Sequence, residues 1–159
     1  MTYLSDFLPV RRVVVPMISK ERADAISELL QPLSDEGIIG SVQLCQESIL
    51  KRERRMSTGI GKGVALPHTV TNEISEVVVV MGLSRTGIEF KAVDNLPCHI
   101  FVLLMCPGAD PDRHHKLLSR FNRVLNDGKL RTELLDAKDA EAVVKVLNDW
   151  ENNLDDDDA

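Results

Sequence analysis

The chain has 159 residues, 43% of them hydrophobic and 28% charged, which suits one soluble globular domain with an ordinary core. The net charge is −6, but Asp155, Asp156, Asp157 and Asp158 supply four of those charges at the C-terminus. The remainder is near balance, so no broad basic face for nucleic acid is expected.

The three cysteines, Cys45, Cys98 and Cys106, are far apart, form no CxxC pair and are odd in number. They read as reduced thiols of a cytoplasmic protein, two of them in the core on strands. The opening MTYLSDFLP lacks the basic start and long apolar stretch of a secretory signal. Ile100 to Cys106, the longest strongly apolar run, is too short to span a bilayer, so no membrane insertion is expected.

In chain order, Arg12 to Val15 predicts a short strand stopped by Pro16. Ser19 is the expected N-cap of a helix that turns Ile26, Leu29, Leu30 and Leu33 to one side. A second helix is expected from Ser41, with Val42, Cys45 and Ile49 on one face, ending in the run Lys51-Arg52-Glu53-Arg54-Arg55. A loop with alternating glycines follows, Gly59-Ile60-Gly61-Lys62-Gly63, and leads through Val64-Ala65-Leu66 to Pro67-His68. Val77 to Leu83 and Ile100 to Cys106 are continuous apolar runs, the pattern of interior strands covered on both faces, with Ile88-Glu89-Phe90 as a shorter strand between them. Asp110-Pro111 is an N-cap and N1 pair for a helix carrying Leu117, Leu118, Phe121, Val124 and Leu125, with Gly128 closing it. A last helix follows Asp139 and turns Ala140, Val143, Val144 and Leu147 inward. The expected architecture is α/β: a single domain over residues 1–151, with a central mixed β-sheet flanked by helices on both faces. Residues 152–159 form an acidic tail expected to be disordered.

Each of the four histidines can be weighed. His68 follows a glycine-rich loop and a proline that stiffens the backbone leading into it. Glycines upstream let the chain approach a ligand closely and can aim amide N–H groups at an anion. By local pattern a phosphoryl-binding histidine and a turn histidine without a role are equally good readings. His114 shares a helix face with Leu117, Leu118, Phe121 and Leu125, whereas His115 sits about 100° further round and leans towards solvent. An inward imidazole needs a partner, which is either local or the site around His68. His99 opens an apolar strand and reads as a packing residue. The basic run from Lys51 complements a helix C-terminus, although one of its arginines could turn towards the glycine loop. Lys62 is followed by Gly63, so no GxxxxGK[ST] phosphate loop is present. His68 and His114 could share a zinc, but a third ligand at convincing spacing is lacking.

The segment from Arg52-Glu53 through Ser57-Thr58-Gly59-Ile60-Gly61-Lys62-Gly63-Val64-Ala65-Leu66-Pro67-His68 resembles the signature RE…sTGIGxGxAxPH of fructose/mannitol-type IIA domains of the bacterial sugar phosphotransferase system. The resemblance continues through Gly87-Ile88-Glu89-Phe90 and Val93-Asp94-Asn95 to the helix at His114, and leaves out only the acidic tail. It is closest to the stand-alone nitrogen-regulatory IIA proteins. Thr69 after the histidine, and His115 and Lys116 after the helix histidine, depart from the usual pattern.

The resemblance implies that His68 accepts a phosphoryl group from an HPr-like phosphohistidine carrier protein. It implies that His114 lies beside it to orient the ring or donate to the phosphoryl group, and that Arg52 steadies the transferred charge. Ser57 and Thr58 are lesser candidates as hydroxyl donors. No cofactor and no metal are implied. The partner downstream is either a regulated target protein, with the phosphoryl group acting as a charge switch, or a IIB domain of fructose or mannitol type that receives the group. A hydrolase with zinc on His68 and His114 is the remaining reading.

Overall fold

The computed structural model describes residues 3–109 and 111–158, the side chains of Pro111 and of residues 155–158 excepted. Asp110, the expected N-cap, lies outside the described residues.

The described chain forms six strands and five α-helices. They are β1 (Val13–Val14), α1 (Arg22–Asp35), α2 (Val42–Arg55), β2 (Gly59–Gly61), β3 (Val64–Ala65), β4 (His68–Thr71), β5 (Val78–Ile88), β6 (Cys98–Pro107), α3 (Pro111–Leu125), α4 (Gly128–Asp136) and α5 (Ala140–Asp158). One mixed sheet runs in the order β1-β5-β6-β3-β2, with β4 also on β6. The two apolar runs pair antiparallel as β5 and β6, while β3 and β4 succeed each other along the far side of β6, parallel to it.

The continuous apolar runs divide by strand alternation into two cores. Val79, Met81, Leu83, Ile100, Val102 and Leu104 face Leu117, Phe121, Leu130, Leu134, Val143 and Leu147 of α3, α4 and α5. Val78, Val80, Phe101, Leu103 and Met105 face Ile26, Leu29, Leu30, Leu33 and Ile49 of α1 and α2. The expected α/β architecture, helices on both faces of a mixed sheet, is the one observed.

Local signals were overridden at several points. Ser19 is not the cap of α1; the helix begins after Glu21. The Ser19 hydroxyl and amide both donate to Glu28, whose carboxylate also takes the Ile18 amide, so this stretch is tied to the side of α1 instead of opening it. Gly128 does not close α3. It is the first residue of α4, and the Asp127 side chain caps that helix by accepting from the Leu130 amide at 2.9 Å. An Asp N-cap outweighed the glycine as a signal. Ile88 ends the long strand β5 and does not begin a separate one. The glycine loop is a β-hairpin: β2 and β3 are antiparallel, with Lys62 (φ 58°) and Gly63 (φ 77°) at the turn. α5 continues past residue 151 into the acidic segment.

Candidate functional site

His68 is the first residue of β4 and pairs in register with Leu104 of β6. Paired residues project to the same face, and Leu104 belongs to the core beneath α3, so the His68 ring is sent towards α3. His114 comes to the same place from the other layer. One turn before Leu117 on the buried stripe, it is only 3% exposed, whereas His115 is exposed. The rings of His68 and His114 have centroids 5.1 Å apart and planes inclined by 51°. His115 lies on the outer side of His114, at 6.0 Å.

The nitrogens of the two rings are used differently. His68 Nδ1 is 2.8 Å from the Leu66 carbonyl oxygen. A carbonyl only accepts, so Nδ1 carries the proton and the neutral ring keeps its lone pair on Nε2. Both ring nitrogens of His114 are buried without a hydrogen-bond partner among the described residues. Burial holds the His68 pKa below the ordinary imidazole value, with the Arg52 and His115 charges adding to the effect and the bond to Leu66 opposing it. His114 is pushed down to about 4, first by burial and then by His68, Arg52 and His115. Both rings are therefore neutral at pH 7.

A cleft of about 590 Å³ opens in front of His68. Arg52, Arg55, Met56, Ser57, Thr58 and Ile60 line one wall, and Leu118, Ser119 and Asn122 of α3 the other. Arg52, in the last turn of α2, is exposed. The two hydroxyls are engaged elsewhere: Ser57 donates to the Phe90 carbonyl at 2.9 Å, and Thr58 donates to Glu53. Their structural work is to shape the loop. His99 donates through Nδ1–H to the Ser84 carbonyl, 2.9 Å away, apart from the cleft. Among the described residues no group of three or more His, Cys, Asp or Glu side chains is placed to hold a metal ion. A second cleft of about 670 Å³, between residues 5–12, residues 75–77 and Arg113, holds no histidine or cysteine.

The α3 wall of the cleft and the buried Glu53 were not among the expected site residues. Leu118, Ser119 and Asn122 follow the two histidines at helical spacing, so helix phase could have found them. Glu53 is 2% exposed and accepts the Thr58 amide at 2.9 Å as well as the Thr58 hydroxyl. Nothing local marks a carboxylate in a basic run as buried; that depends on the loop folding over it.

With this geometry the chain can be placed among known proteins. Residues 6–150 match the family described as phosphoenolpyruvate-dependent sugar phosphotransferase system, EIIA 2, and the chain belongs to that family. It is a IIA component of the phosphotransferase system. It is 32% identical to a nitrogen regulatory protein of Escherichia coli (strain K12), over 86% of this chain and 83% of that one. It is 28% identical, over 91% of its length, to the fructose-specific EIIABC component of Bacillus subtilis (strain 168), and spans only 23% of that longer protein. The crystal structure of nitrogen regulatory protein IIA-Ntr from Neisseria meningitidis superimposes with a TM-score of 0.83 at 25% identity, covering 91% of this chain and 98% of that one. The fold is also that of enzyme IIAMTL in its complex with phosphorylated enzyme IIBMTL from Escherichia coli, with a TM-score of 0.72, 18% identity, and 89% and 96% of the two chains covered. No described helix is long and apolar enough to cross a membrane.

Proposed function

We propose that this IIA component is a phosphoryl carrier that takes the group onto Nε2 of His68 from an HPr-like phosphohistidine protein in the cytoplasm. It acts as a nitrogen or metabolic regulator through its phosphorylation state. The observation that carries the reading is the tautomer imposed on His68. With Nδ1–H held by Leu66, the one lone pair available to attack phosphorus is Nε2.

In the transfer, the donor's N–P bond breaks as the Nε2–P bond forms, and the donor imidazole recovers the electron pair. If each ring keeps a proton on its other nitrogen, none has to move. The loosely bonded phosphoryl group spreads charge over three oxygens. Arg52 on the cleft wall supplies a guanidinium for that charge, and His114, with two uncommitted ring nitrogens, supplies an N–H donor. The Ser57 and Thr58 hydroxyls are lesser contributors, being bonded to Phe90 and Glu53.

Incubation with the phosphorylated carrier should label wild type and leave His68→Ala unlabelled. Uptake of label by His68→Ala would falsify the proposal. A second reading, passage of the group to a fructose- or mannitol-type IIB domain, is favoured by the fold shared with the IIA of the IIA–IIB complex. Onward transfer to such a domain supports transport. Binding of a target that depends on phosphorylation, without onward transfer, supports regulation.

A further inference from the structure

We propose that Glu53 is a positioning residue for His68, acting through Thr58 and Leu66 to hold the imidazole in its Nδ1–H form. The links are consecutive hydrogen bonds. The Glu53 carboxylate, on α2, accepts the Thr58 amide at 2.9 Å through Oε2 and the Thr58 hydroxyl through Oε1. The Thr58 carbonyl accepts the Leu66 amide at 3.1 Å. The Leu66 carbonyl then accepts His68 Nδ1–H at 2.8 Å.

Leu66 is held on its other side too. Pro67 restricts it sterically, and the Pro67 carbonyl accepts the Leu104 amide at 3.0 Å, fixing this stretch to β6. One end of the Leu66 carbonyl's support is thus the sheet, and the other is a carboxylate that is 2% exposed.

Glu53 does not line the cleft itself and reaches it through its hydrogen bonds to Thr58. It sits one residue, about 100° of helix rotation, from Arg52, so the last turn of α2 offers an arginine to the cleft and a carboxylate to the loop beneath it. A carboxylate has two oxygens to accept with, and here one residue's amide and hydroxyl occupy both. Glutamine can accept with only one.

The kinetic consequence rests on His68 being the phosphoryl acceptor; the tautomer does not. The test therefore has two arms. In 15N-labelled protein at mildly alkaline pH, ring-nitrogen NMR shifts of His68 are expected to show Nδ1 protonated and Nε2 bare in wild type. Glu53→Ala is expected to mix the two tautomers and slow phosphorylation by the carrier about tenfold. Thr58→Val and Glu53→Gln each disturb only part of the clamp and are expected to show smaller shifts in the same direction. Thr58→Ser keeps amide and hydroxyl and is expected to keep the wild-type Nδ1–H tautomer.

Should Glu53→Ala fail to fold, Thr58→Val and Glu53→Gln carry the same test. An undisturbed Nδ1–H tautomer in the variants that fold overturns the inference, whatever their stability or rate. So does a wild-type ring protonated on Nε2. If wild type takes no label at all, the carrier reading fails while the tautomer measurement still decides the role of Glu53.

Discussion

His114 stands 5.1 Å, centroid to centroid, from His68, and its own two ring nitrogens bond to nothing among the described residues. Buried polar atoms without partners each cost on the order of 1–3 kcal/mol. The fold bears that cost at the one place where a second imidazole can reach what His68 would carry.

Replacing His114 with leucine, which fills similar space without polar atoms, is therefore expected to raise stability by about 1–2 kcal/mol. The same change is expected to slow phosphorylation of His68 by about 10²-fold, the usual effect of removing a preorganised donor. Urea unfolding and a labelling time course measure the two effects. A destabilised His114→Leu with full activity would contradict both halves.

Stability is expected to fall with acid between pH 6.5 and 4. The His114 pKa is about 4 in the folded chain, against an ordinary 6.5. In that window the unfolded state binds more protons, so stability rises with pH and the penalty is absent above 6.5. Its full size is at most about 3 kcal/mol, and the lowered His68 pKa adds in the same direction. Urea midpoints across this range should show the slope, and His114→Leu should flatten it.

Arg52→Ala is expected to slow phosphorylation by about 10²-fold, and Arg52→Lys by about tenfold, because an ammonium keeps the charge but not the planar fork. Burial is the first cause of the lowered His68 pKa and the Arg52 charge a smaller one. An NMR titration should therefore place His68 below the free-imidazole value in wild type and somewhat higher in Arg52→Ala. Wild-type rates in both variants would remove Arg52 from the transfer.

Gly59→Ala is expected to destabilise by about 1–3 kcal/mol, as overpacking does. A methyl at Gly59 would lie 2.8 Å from both Cα and Cβ of Ala92, and the Gly59 carbonyl accepts the Val93 amide at 3.0 Å, so the hairpin would be pushed off its neighbour. Thermal unfolding reads the loss. Slower phosphorylation should accompany it, because Ser57, Thr58 and Leu66 move with the hairpin.

The buried stripes of α1, α2, α3 and α5 and the two central strands were legible in the residues alone. Continuous apolar runs announce strands covered on both sides, and helix phase separates buried His114 from exposed His115. Pro67 and the glycines also mark the approach to His68 as stiff and close-fitting. These are properties of period and covalent geometry, which neighbouring residues carry by themselves.

Tertiary structure decided which of those pieces meet. The register that pairs His68 with Leu104 aims its ring at α3, and no local pattern contains a pairing between strands so far apart in sequence. Burial of Glu53 under a loop, engagement of the Ser57 and Thr58 hydroxyls, and the start of α4 at Gly128 likewise depend on what packs nearby. A hydrogen bond needs a partner within about 3 Å, and only the folded chain determines which groups come that close.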